Sequence, residues 1–140
     1  MITEYSCGAV VFTREDGCIR YVIIRSKEGF YGFPKGHREG AESEEDTALR
    51  EILEETGLTV TLLDGFRTED CHPFTRDGET RMKHVVYFLA KYAHQTPTVQ
   101  VSELDGIRLM DYDAAMNAFQ FENSRRILSE AHQFLSTKLR

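Results

Sequence analysis

Two stretches of strongly apolar, β-branched character open the chain: residues 7–13, CGAVVFT, and residues 18–26, CIRYVIIRS. Asp16-Gly17 between them predicts a tight hairpin turn. The pattern lapses over residues 27–42, KEGFYGFPKGHREGAE, where several glycines and Pro34 predict a loop. Ser43 is a good N-cap with acidic residues after it, which predicts a helix running to about Thr56, and Gly57 stands where a helix stop belongs. LTVTLLDGF, from residue 58, returns to β-type composition, and MKHVVYFLAKY, residues 82–92, is a strong strand. Residues 70–79, DCHPFTRDGE, read as a mobile loop. A short helix near DYDAAMNAF and a longer one near ENSRRILSEAHQFLSTKL follow, the latter with Ile127, Leu128, Ala131, Phe134 and Leu135 at helical spacing. This order predicts a mixed sheet with helices packed on its faces, an α/β fold.

Composition narrows the possibilities. The 140 residues, 41% hydrophobic and 29% charged, fit a single soluble domain over 1–140 with a proper core. A formal charge of -6 gives no general attraction to nucleic acid or to an anionic membrane. No apolar run approaches the roughly 20 residues of a spanning helix, so no membrane role is expected. Cys7, Cys18 and Cys71 are odd in number and scattered, without CxxC spacing or a leader pattern, which predicts free thiols and a cytoplasmic location. Nothing in the chain specifies an oligomeric state.

Charge distribution changes the picture most. Residues 36–58, GHREGAESEEDTALREILEETGL, crowd seven glutamates and an aspartate into twenty-three positions, although from the helix alone a solvated acidic face is the commoner explanation. At about 100° per residue, Leu49, Ile52 and Leu53 gather on one side, with Glu44, Glu51, Glu54 and Glu55 opposite. The last three stand at i, i+3 and i+4, so their carboxylates converge at a cost of a few tenths of a kcal/mol per pair. Arg50 offsets part of this. Hard divalent cations held by oxygen donors are candidates for the rest, and a solvated acidic face is the alternative.

Spacing favours the cation. Gly36, Glu42, Arg50, Glu51, Ile52, Glu54, Glu55, Gly57 and Leu58 form G-x5-E-x7-R-E-U-x-E-E-x-G-U, where U is bulky and aliphatic. This resembles the complete box of the Nudix hydrolases. The resemblance implies an α/β/α sandwich with a central mixed sheet, and a loop-helix-loop that holds Mg2+ or Mn2+ against a nucleoside-diphosphate-linked substrate. It implies metal binding by Gly36, Glu51, Glu54 and Glu55, catalysis by Glu51 or Glu54, and an orienting role for Arg50, whose guanidinium stays protonated. Glu42 would complete or anchor the loop.

YGFPKGH, residues 31–37, is similar to the W-x-x-P-K-G-H segment of the asymmetrical diadenosine tetraphosphate hydrolases of the animal and archaeal type, with Tyr31 in place of tryptophan. CGAVVF, GFRTED, KHVVYFLAKY and EAHQFL extend that likeness in order. The resemblance implies Lys35 and His37 on the phosphate chain, and Glu103 as an aid to the metals. It further implies a nucleotide met by Lys83 and Tyr87, which share a strand face, with Phe134 as a second aromatic wall. Arg67, Glu69 and Arg76 are either distal phosphate contacts or surface charge. His72, His84, His94 and His132 lack metal-ligand spacing. The implied substrate is a small dinucleoside polyphosphate, with capped or triphosphorylated RNA ends, inositol pyrophosphates, or a non-catalytic nucleotide-sensing role as alternatives.

Overall fold

The structure is a computed structural model and describes residues 2–138. Strands β1 (Thr3–Glu15) and β2 (Cys18–Ser26) form the expected hairpin. Asp16 and Gly17 both take positive φ, 51° and 81°, as a two-residue turn that matches strand twist requires. Then come β3 (Tyr31–Gly32), β4 (Lys35–His37), α1 (Glu44–Thr56), β5 (Thr61–Leu62), β6 (Thr68–Arg76), β7 (Glu79–Lys91), β8 (Leu104–Met110), α2 (Tyr112–Ala118) and α3 (Glu122–Lys138).

All strands join one mixed sheet of eight. Its spine is the parallel ladder of β1 on β7, from Thr3 opposite Met82 to Phe12 opposite Lys91. The other edge of β1 is shared. Residues 12–15 pair with β2, and residues 6–8 pair with β4. Both faces of β1 are covered, which explains why it reads as an unbroken apolar run. Cys7, Ala9 and Val11 pack with Val86, Phe88 and Ala90 under Ala48 and Ile52 of α1. Val10 and Phe12 pack with Val85, Tyr87 and Leu89 under Ile127, Leu128, Ala131 and Leu135 of α3. Helices on both faces give the expected sandwich.

Three sequence expectations need correction. Residues 70–79 are ordered strand and turn, because β6 runs through Asp77-Gly78, with φ of 52° and 76°, into β7. Its inward residues are Thr68, Asp70, His72 and Phe74, mostly polar, so no apolar alternation announced it. Helix α1 is also rotated from the arc its leucines suggest: Thr47, Ala48, Ile52 and Thr56 are buried, while Leu53 is 51% exposed. Small residues at 47 and 48 let the helix lie close to β1, and this turn of the cylinder brings Glu51 and Glu55 inward. Glu44 points away from them and pairs with Arg67 through two nitrogens at 3.0 and 2.9 Å.

Candidate active site

The acidic site is built from the second half of α1, the short strand β4, and a strap leading to β8. Ser43 Oγ accepts from Asp46 N at 3.0 Å to start the helix. At its end Gly57, with φ of 75°, donates to the Leu53 carbonyl at 2.8 Å. The strap then satisfies carbonyls of the last turn: Thr98 N donates to Thr56 O at 2.9 Å and Gln100 N to Glu55 O at 3.1 Å. Three residues later it delivers Glu103. Across the gap, β4 is fixed by its ladder to β1, where Gly8 faces Lys35 and leaves no room for a Cβ beside the Pro34 carbonyl. Gly36 needs its bare backbone for a different reason: a Cβ there would overlap the Glu51 carboxylate. Gly36, Glu51, Glu54, Glu55 and Glu103 line one cavity of about 350 Å³, with Lys35 at its wall.

Arg50 organises these acids. Its Nε and Nη2 grip Glu42 as a fork at 2.7 and 3.0 Å, and Nη1 reaches Glu51 Oε1 at 2.7 Å and Glu54 at 3.2 Å. Nη2 also donates to the carbonyl of His37 at 2.9 Å. Glu42 therefore anchors the loop and does not line the cavity. Its carboxylate accepts from Arg50, from Glu39 N and from Thr47 Oγ1, which together hold its pKa down to about 2 despite partial desolvation.

Glu55 is different. Burial pushes its pKa up to about 7; the Lys35 amide and ammonium oppose this, while the charges of Glu51 and Glu103 add to it. The Lys35 amide donates to Glu55 Oε1 at 3.0 Å. Burial likewise pulls the Lys35 ammonium down to about 8, helped by Lys83 and opposed by Glu55 and Asp70. Both groups are thus driven toward neutrality, and a divalent cation against the acids would reverse that for Glu55. Among the described residues no three His, Cys, Asp or Glu side chains already converge at ligand distance. Arg50 has drawn Glu51 and Glu54 to itself. The donor set is nonetheless all oxygen, with a bare glycine backbone against it and an under-compensated buried acid, which fits Mg2+ or Mn2+.

The expected substrate residues fall into two groups. Lys83 lies on the same sheet face as Lys35, close enough to perturb it. His37 is exposed at the rim of the acidic cavity, and its Nε2 lies 3.1 Å from Glu4 Oε1. Tyr87 and Phe134 do not form paired walls. Tyr87 is 5% exposed, with its ring edge-on to Phe33 at 5.5 Å, so its face is core and offers nothing for a base to stack on. Phe134 packs on Phe66 at 5.6 Å, beside a hollow that includes Gly65 and Gln133. It stands eleven residues, about 16 Å, along α3 from Asn123, which bonds Asp70 at 2.7 Å near the lysines. As a flank of the apolar stripe on α3, it serves to cover the 65–66 turn. Arg67 is occupied by Glu44 and Glu69.

Sequence reasoning missed Glu4, Asp70, His72 and Arg81, all on the sheet face of Lys83. Asp70 accepts from Asn123 and pairs with His72 at 3.1 Å, tying β6 to the first turn of α3. The usable signal was Asp77-Gly78, the same hairpin mark as Asp16-Gly17; with that turn fixed, His72 falls opposite Lys83.

A family model described as NUDIX domain matches residues 4–131. The bis(5'-nucleosyl)-tetraphosphatase (asymmetrical) of Sus scrofa is 32% identical over an alignment of 142 positions, spanning 93% of this chain and 94% of that protein. Its namesake from Rattus norvegicus is 31% identical over the same shares. The crystal structure of a C. elegans Ap4A hydrolase binary complex has a TM-score of 0.84 at 21% identity, covering 96% of this chain and 98% of that one.

Proposed function

The chain belongs to the NUDIX domain family, and from that premise we propose that it is a divalent-metal-dependent hydrolase of dinucleoside polyphosphates. The preferred substrate is diadenosine tetraphosphate, cut asymmetrically to ATP and AMP. The observation that carries this is the cavity where Glu51, Glu55 and the bare backbone of Gly36 meet beside Lys35, which Lys83 neighbours in turn, so that an oxygen-only donor set lies next to two ammonium groups. The names of the relatives support the substrate class.

Bound Mg2+ or Mn2+ would lower the pKa of a water and neutralise phosphate oxygens. Gly36, Glu51 and Glu55, with Glu103 from the strap, would hold it. Glu54, 52% exposed at the mouth and held by Arg50 at 3.2 Å, would take the proton of the attacking water, with Glu51 as the alternative base. Water oxygen bonds to one phosphorus, the bridging P–O bond breaks, and its electron pair leaves with the departing polyphosphate. Arg50 keeps Glu51 and Glu54 in place. Lys35 and Lys83 bear the phosphate charge, with His37 at the edge. The three free cysteines fit a cytoplasmic setting.

Incubation with Mg2+ and diadenosine tetraphosphate, followed by chromatography, tests this. ATP plus AMP is expected, and EDTA should abolish the reaction. Two ADP would overturn the asymmetric assignment. Turnover restricted to triphosphorylated RNA or an inositol pyrophosphate would replace the substrate.

A further inference from the structure

Beyond the cavity, the face of the sheet that carries Lys35 and Lys83 continues along β1 and the β6–β7 hairpin. The ladders fix what it displays. Glu4 is opposite Lys83, Arg81 lies two residues before Lys83 on β7, His37 is opposite Ser6, and Arg76 ends β6. These residues converge. Arg76 Nη1 reaches Glu4 Oε2 at 2.7 Å, Arg81 Nη1 reaches the same oxygen at 3.3 Å, and His37 Nε2 lies 3.1 Å from Oε1. Glu79 takes only one further nitrogen of Arg81, at 3.5 Å. Arg81 Nε is buried without a hydrogen-bond partner. The Glu4 side chain is shielded, 12% exposed, whereas Arg76 and His37 are 49% and 58% exposed. Donors therefore outnumber acceptors; Arg76 and His37 are presented outward, with Arg81, 24% exposed, behind them.

We propose that Arg76, Arg81 and His37, gathered around Glu4, form a subsite for the distal phosphates of a bound polyphosphate chain, continuing the track that starts at Lys35 and Lys83. Planar guanidinium groups suit this ligand, because each can offer two parallel N–H donors to one phosphate. Glu4 holds the guanidiniums in position until a phosphate, with more charge and more acceptor atoms, competes for them; the exchange starts at Arg76, whose half-exposed guanidinium forms the more weakly held pair. The corner is also continuous with the acid site, since the His37 carbonyl accepts from Arg50 while its ring meets Glu4. The assignment rests on the reading of that site as a polyphosphate hydrolase, and adds how the length of the phosphate chain is sensed.

Calorimetric titration with inorganic tripolyphosphate, in EDTA and at low ionic strength, tests the corner without turnover. Arg76→Gln and Arg81→Gln should each weaken tripolyphosphate binding about tenfold while changing orthophosphate binding little. Glu4→Gln should tighten it, since the internal competitor is gone. In turnover, both arginine variants should raise KM for diadenosine tetraphosphate about tenfold with kcat within about twofold, and leave a diphosphate-bridged dinucleotide unaffected. Thermal melting identifies any variant that fails to fold; Arg76 is exposed enough that its variant remains informative. Equal tripolyphosphate affinity in wild type and Arg76→Gln would overturn the proposal, as would weaker binding by a folded Glu4→Gln. If no dinucleotide is cleaved, the hydrolase reading fails, while the calorimetry still decides the corner.

Discussion

The acidic face of α1 and the basic corner at the β6–β7 hairpin are built alike with the signs reversed. In one, Arg50 alone contacts four carboxylates, those of Glu39, Glu42, Glu51 and Glu54. In the other, Glu4 alone contacts Arg76, Arg81 and His37. Each central residue is shielded, with side chains 22% and 12% exposed, and each is outnumbered. The fold thus positions like charges precisely enough to be useful without cancelling them. A chain of net charge -6 can in this way offer a polyanion a local welcome. On the functions proposed above, the two poles would take different occupants: hard cations at the first, phosphate oxygens at the second.

Removing charge from the acidic pole should have the largest effect. Glu51→Gln and Glu55→Gln are expected to lower kcat for diadenosine tetraphosphate by about 10²–10⁴-fold. Melting temperatures should hold, and Glu55→Gln should gain stability at neutral pH, because burying that carboxylate is penalised. Full activity in both variants would dismiss the acidic pole as mere surface. Next, Arg50→Lys should cost about 1.5–3 kcal/mol in denaturant titrations, since an ammonium cannot reproduce the fork on Glu42.

The glycines separate scaffold from site. Gly8→Ala drives a Cβ into the Pro34 carbonyl, backbone that cannot step aside, and should cost about 1–3 kcal/mol. Gly36→Ala meets the movable Glu51 carboxylate, so activity should fall well before stability does. Similar melting curves for the two would erase that distinction.

The loop anchor predicts a pH effect. Glu42 has a folded pKa of about 2 against an ordinary 4.5, so its contribution is fully present above pH 4.5 and is lost as pH falls toward 2. The melting advantage of wild type over Glu42→Gln should therefore be constant at neutral pH and shrink across that acid window; an advantage that grew on acidification would contradict the assigned hydrogen bonds. Smallest of all, Arg76→Gln should change stability by less than about 1 kcal/mol, as an exposed pair does.

Much of this architecture was legible in the chain because its signals are local. Asp16-Gly17, Ser43, Gly57 and the apolar spacing of Ile127, Leu128, Ala131 and Leu135 each act within a few residues, and each sits as expected. The acidic pole was legible for the same reason, since one helix supplies most of it. The basic corner was legible only in part: His37 and Arg76 stood out as candidates for phosphate contact, but Glu4 and Arg81 did not, because the corner is assembled from β1, β4 and the β6–β7 hairpin. Their meeting depends on the parallel register of β1 on β7, which no short pattern encodes. Tyr87 and Phe134 show the converse difficulty. Both carry the residue type a base platform needs, but one is buried by Phe33 and the other is carried along α3 to a distant turn. Residue type proposes a role, and only packing decides whether the ring has a free face.

The strap that caps α1 makes Glu103 sensitive to chain length in a graded way. Its backbone is fastened to the helix at Thr98 and Gln100. An extra residue inserted among 93–97 can bulge into solvent ahead of both fastenings and leave the carboxylate where it is. One inserted at 101 or 102 has no slack to absorb it and would shift Glu103 along the cavity wall. Homologous loops in this region should accordingly vary in length upstream of the fastenings and stay rigidly spaced after them.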